Sequence, residues 1–137
     1  MTTITATKGE LVNLINGLFQ VQELKGKKFG LAVSKNIKIL KDELQDLEDM
    51  GKPSEEFMAL AAQVNEIANG GAEDSKEVID NLEKENEVLV KERREQMDKI
   101  TILMKDELSV ELNTVPESTL PEEISAAQIN NIIKIIE

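Results

Sequence analysis

Histidine, cysteine, tryptophan and tyrosine are all absent from this 137-residue chain, and three phenylalanines, Phe19, Phe29 and Phe57, are its only aromatics. Each absence excludes something. Without cysteine there are no disulfides, zinc thiolate sites or thiol nucleophiles. Without histidine, Ser-His-Asp and Cys-His arrangements cannot be built, and the commonest general acid–base and transition-metal ligand is lost. A core this poor in rings must be assembled from Leu, Ile, Val and Met, which favours helix-on-helix packing over a sandwich of strands. No apolar run approaches about 18 residues, so no membrane-spanning helix is expected. The opening Met1-Thr2-Thr3-Ile4-Thr5-Ala6-Thr7 lacks the basic start and apolar stretch of a signal peptide, and a cytoplasmic setting is expected.

What is present is helical periodicity. Thr7 and Glu10 stand three residues apart, as a capping box requires, and Leu11, Leu14, Ile15, Leu18 and Val21 follow at helical spacing. Gly17 interrupts that stripe and suits the close approach of a neighbouring helix. A second helix is expected from Lys27 to Met50, with Val33, Ile37, Leu40, Leu44 and Leu47 forming a heptad seam. Gly51-Lys52-Pro53 stops it. Ser54 caps a third helix whose apolar stripe is Phe57, Leu60, Ala61, Val64, Ile67 and Ala68, and Asn69-Gly70-Gly71 ends it.

A long fourth helix is then expected from Ala72 to about Leu108, with a seam of Ile79, Leu82, Asn86, Leu89, Arg93, Met97, Ile100 and Met104. Asn86 and Arg93 interrupt the apolar row, as polar residues do where register or a partner is specified, although Arg93 can also reach back to the surface on its long stem. Period-two alternation over Ser109–Val115 indicates a short strand or an extended arm. Ser125 and Gln128 form a second capping box, opening a short helix with Ile129, Ile132, Ile133 and Ile136 as its apolar face. So short a helix is not stable alone and must dock, in cis or in trans. The expected fold is therefore mainly all-α: an antiparallel helical hairpin or bundle over 1–108 with one long helix, then an arm or strand and a C-terminal helix over 109–137.

Charge is unevenly spread. The formal net charge is −11, yet in residues 1–41 seven lysines stand against Glu10 and Glu23 alone. At 100° per residue, Lys28, Lys35 and Lys38 fall opposite the seam of the second helix and face water. They form either a solvated face or a docking strip for an acidic surface, including the acidic remainder of a second copy. The acidic residues crowd two places, Asp42 to Asp49 and the long helix from Asp80 to Glu95. Nucleic acid is disfavoured as a partner by the overall charge and by the absence of rings for base stacking.

No G-x-x-x-x-G-K-S/T phosphate cradle and no D-x-D-x-D-G calcium loop occurs. Neither a cofactor nor a metal is expected; catalysis by Asp, Glu, Lys or Ser stays open on the inventory, as does a magnesium site built from carboxylates alone. Lys8-Gly9-Glu10-Leu11-Val12-Asn13, the Leu24-Lys25-Gly26-Lys27-Lys28-Phe29 connection, Lys35 and Ile37 on the next helix, and the Leu120-Pro121-Glu122-Glu123-Ile124 turn before the isoleucine-rich end together give the chain its character. In that arrangement it resembles small uncharacterised helical proteins encoded by tailed bacteriophages. The resemblance implies a phage protein made in the host cytoplasm and supplies no catalytic residues.

The function expected from these features is non-enzymatic: a helical protein-interaction protein, self-associating, that binds or blocks a host protein. An acidic nucleic-acid mimic that inhibits a host enzyme and an accessory to virion assembly are the alternatives. Lys28, Lys35, Lys38, Asn86, Arg93, Ile129, Ile132, Ile133 and Ile136 are the candidate partner-binding residues.

Overall fold

The computed structural model describes all residues, Met1–Glu137. In chain order the elements are β1 (Thr2–Thr7), α1 (Lys8–Val21), α2 (Lys27–Glu43), α3 (Gln45–Gly51), α4 (Glu55–Asn69), α5 (Ser75–Glu85), α6 (Glu87–Leu103), β2 (Glu107–Leu112) and α7 (Ala126–Asn131), with single 3-10 turns at Glu117–Thr119 and Ile133–Ile135. The protein is mainly helical, as its composition implies. No helix is long and apolar enough to cross a membrane. The chain forms two compact units, Met1–Leu47 with Ile102–Glu137, and Glu48–Thr101. The division expected at residue 108 is thus not where the units part, because the C-terminal segment folds back onto the N-terminal one.

The first unit holds the main core. β1 pairs antiparallel with β2 from Thr2↔Leu112 to Thr7↔Glu107. Ile4 and Ala6 thereby share the inward face with Leu108 and Val110, while Thr3, Thr5, Ser109 and Glu111 point out. The expected strand near 109–115 therefore exists over 107–112, and its partner is Thr2–Thr7, where no strand was expected. Thr7 ends β1 and also caps α1. Its Oγ1 accepts from the Glu10 N–H at 3.1 Å, and the Glu10 carboxylate accepts from the Thr7 N–H at 3.4 Å. The Lys134 ammonium, 3.0 Å from Glu10 Oε2, and the Thr7 donors hold the Glu10 carboxyl below the usual carboxylate range.

Leu11, Leu14, Ile15, Leu18 and Val21 of α1 are all buried, with Phe29, Val33, Ile37, Leu40 and Leu44 of the following segment. The heptad seam is correct in identity, though Leu47 is half-exposed. The second helix does not run unbroken to Met50. Leu44 leaves helical geometry at φ −99° and ψ 6° while its side chain stays in the core, and α3 starts afresh. At the C-terminus the Ser125–Gln128 capping box forms. The helix stops at Asn131, and the spacing tightens from about 3.6 to about 3 residues per turn. That change buries Ile132 and Ile135, leaves Ile129 and Ile136 half-buried and turns Ile133 to solvent at 54% exposure. Packing is in cis: a Cβ at Gly17 of α1 would lie 2.9 Å from both the Cβ and the carbonyl oxygen of Asn131. Val115 then bridges Ile136, its N–H donating to the Ile135 carbonyl and its own carbonyl accepting from Glu137.

The second unit is built differently. Ser54 caps α4 by accepting from the Phe57 N–H at 3.1 Å, with Glu55 and Glu56 at the positive end of the helix. Gly71, at φ +68°, turns the chain towards α5. Only Leu60 and Ile100 are buried in this unit. Phe57, Val64, Ile67, Ile79, Leu82 and Leu89 are half-buried, and Met97 is exposed. The long helix expected over 72–108 is broken at Asn86 and ends at Leu103. The Asn86 amide donates to the Leu82 carbonyl at 2.9 Å, competing with its own N–H for the same acceptor at 3.2 Å, and the ladder resumes with Val90 N–H on the Asn86 carbonyl.

Candidate functional site

The outer side of α2 carries the clearest surface feature of the first unit. Its inner face is apolar, so the intervening positions are left for water, and Lys28, Lys35 and Lys38 stand there exposed. Leu31 lies among them and is 58% exposed. A wall forms beside them where the chain leaves β2. There Asn36, wholly buried on α2, donates through Nδ2 to the Asn113 carbonyl at 2.9 Å and accepts the Asn113 N–H at 2.7 Å. The side-chain amide thus replaces a neighbouring strand for that peptide unit and ties the 113–116 segment to α2.

Two open cavities of about 350 and about 360 Å³ flank this tie. Both are lined by Lys35 and Asn113, so they adjoin along α2 and are together termed the α2 groove. Lys28, Leu31 and Pro116 line one end, and Lys38, Ile39 and Asp42 the other. The groove offers three ammonium groups, which only donate, around apolar Leu31 and Ile39, against the single carboxylate of Asp42.

The other sequence candidates do not join this groove. Arg93, in the second unit, donates to the Gly51 carbonyl at 2.8 Å and to Gln96 Oε1 at 2.9 Å, and its guanidinium carbon lies 5.8 Å from the centre of the Phe57 ring. Gln96 in turn donates to the carbonyls of Met50 and Lys52. These carbonyls lie at the C-terminal end of α3, where a cation is favoured. Arg93 is therefore a latch within its own unit, neither free at the surface nor unpaired in a seam. Asn86 likewise spends its amide on its own helix. Ile132 is in the core and Ile129 and Ile136 pack against it in part, which leaves Ile133 as the exposed member of that set.

Sequence reasoning missed Asn36, Asn113 and Leu31. Asn36 carried a signal, since it falls three residues after Val33 within the apolar stripe. Asn113 and Leu31 carried none that spacing reveals. The acidic side of α5 and α6 bears a shallow groove of about 920 Å³ lined by five carboxylates, Asp80, Glu83, Glu87, Glu95 and Asp98, with Lys84, Lys91 and Arg94 among them. No three carboxylates of the chain converge closely enough to hold a metal ion. No protein-family model, curated protein or solved structure matches this chain.

Proposed function

We propose that this is a non-enzymatic protein-binding protein whose α2 groove takes an acidic amphipathic segment of a partner. The observation that carries the reading is the groove itself, in which Lys28, Lys35 and Lys38 surround an exposed leucine beside a wall held by the Asn36–Asn113 tie. The non-enzymatic part rests on the inventory of residue types, which has no histidine or cysteine. The phage resemblance suggests the setting, a host protein met in the cytoplasm.

Fluorescence anisotropy with a labelled helical peptide alternating glutamate and leucine tests the reading. Binding is expected at low salt and weakens by about tenfold or more between about 50 and about 500 mM salt. Lys35→Glu with Lys38→Glu abolishes it. Equal affinity for a peptide with lysine in place of glutamate, or binding indifferent to the double reversal, overturns the reading.

A further inference from the structure

Among the exposed residues of α2, Lys28, Leu31, Lys35, Lys38 and Asp42 form a row at steps of 3, 4, 3 and 4. That stepping keeps a row on one helix face. A second exposed row with the same steps lies on the other unit: Glu85, Val88, Glu92, Glu95 and Lys99. Set in the same order, the rows oppose at every charged position, and their one apolar position coincides, Leu31 at 58% exposure with Val88 at 69%. Glu85 is the last residue of α5, and Val88, Glu92, Glu95 and Lys99 lie on α6 beyond the Asn86 break.

We infer that a second copy of this chain supplies the acidic segment, with the Lys28–Asp42 row of one molecule docking parallel and in register on the Glu85–Lys99 row of another. This rests on the reading of the α2 groove as a site for acidic segments. Bulk charge would not select the pairing, since Lys84 and Lys91 flank the acidic row. Register does. Sliding one helix by seven residues sets Asp42 against Glu92 in one direction and Lys35 against Lys99 in the other. Reversing one helix sets Lys28 against Lys99 and Asp42 against Glu85. Of the arrangements that pair all five positions, only the parallel one has no like-charged pair and no charge against an apolar residue. Exposed ion pairs each contribute little and are screened by salt, so the association is weak and salt-sensitive. Each copy carries both rows, and the contact is heterologous.

Sedimentation velocity over a concentration series to the high micromolar range, at about 20 and about 500 mM salt, tests this. At low salt the wild type gains apparent mass with concentration, and high salt removes the gain. Lys35→Glu with Lys38→Glu, and separately Glu92→Lys with Glu95→Lys, each stay monomeric. An equimolar mixture of the two variants associates again, because the unaltered lysine row of one meets the unaltered acidic row of the other and the two reversed rows are complementary as well. All four positions are exposed, and far-UV circular dichroism checks that each variant is folded. A monomeric wild type, a double reversal that leaves the mass unchanged, or a mixture that stays monomeric overturns the inference. The acidic-peptide assay separates the two failures: the Glu92→Lys, Glu95→Lys variant keeps its α2 groove. Peptide binding without self-association refutes the second-copy inference alone, and loss of both refutes the groove reading as well.

Discussion

The two units of this protein are held together in different ways. Residues 1–47 with 102–137 bury Leu11, Leu18, Phe29, Leu40, Leu112, Ile132 and Ile135 completely, from α1, α2, β2 and the C-terminal turn. Residues 48–101 bury only Leu60 and Ile100, and their helices rely on a Ser54 cap, a glycine turn and the Arg93–Gln96 latch. Buried apolar area sets the scale of stabilisation at roughly 25 cal/mol per Å². Caps and single hydrogen bonds contribute about 1 kcal/mol each. The difference teaches that heptad spacing states which residues can meet along a helix, not how completely they are covered. The unit with fewer buried side chains is the one expected to open first.

The largest effect is expected from removing core volume. Phe29→Ala should cost about 3–5 kcal/mol in urea denaturation, whereas Val64→Ala on the half-covered stripe of α4 should cost less than about 1 kcal/mol. Equal losses at the two positions would erase the distinction between the units.

A smaller effect is expected at the tightest contact of the first unit. Gly17→Ala improves helix propensity by about 1 kcal/mol, but the new methyl meets Asn131 backbone at 2.9 Å. Overpacking of this kind costs about 1–3 kcal/mol, so a net loss is expected, with amide exchange faster in Ala126–Ile136. A stabilised variant would show that the C-terminal helix yields easily.

The smallest is expected from the latch. Arg93→Ala should lower stability by about 1 kcal/mol and speed amide exchange within residues 48–101 while residues 1–47 keep their protection. Arg93→Lys should not restore it, because one ammonium cannot reproduce the planar set of donors over Phe57. Faster exchange across both units would mean that they open together.

Much of the local structure was legible. The Thr7–Glu10 and Ser125–Gln128 boxes, the Ser54 cap and the apolar stripe of α1 are recognisable because each needs only residues a few positions apart. The breaks at Leu44 and Asn86 were harder. Leu44 continues an intact heptad, and nothing local forbids helix there. Asn86 was visible as a polar residue in a seam, but its amide turned back to Leu82 and did not face a partner. β1 was missed because Thr2–Thr7 is too short to declare itself without the strand it pairs with, which lies a hundred residues on. Of the candidate site, the three lysines were legible from helical phase. The groove was not, because its wall is a distant segment tied by Asn36.

The sequence by itself determined which positions are apolar, where helices start, how charge is shared between the two ends of the chain, and which chemistries are missing. These follow from residue type and short spacing. Tertiary structure alone decided that residues 107–112 return to pair with the first seven, that the C-terminal turn packs on its own α1, and that Asn113 closes one side of a lysine-lined groove. Each is a contact across a long loop. Its free energy comes from burial and hydrogen bonds that exist only once both partners are in place, so no window of neighbouring residues contains it.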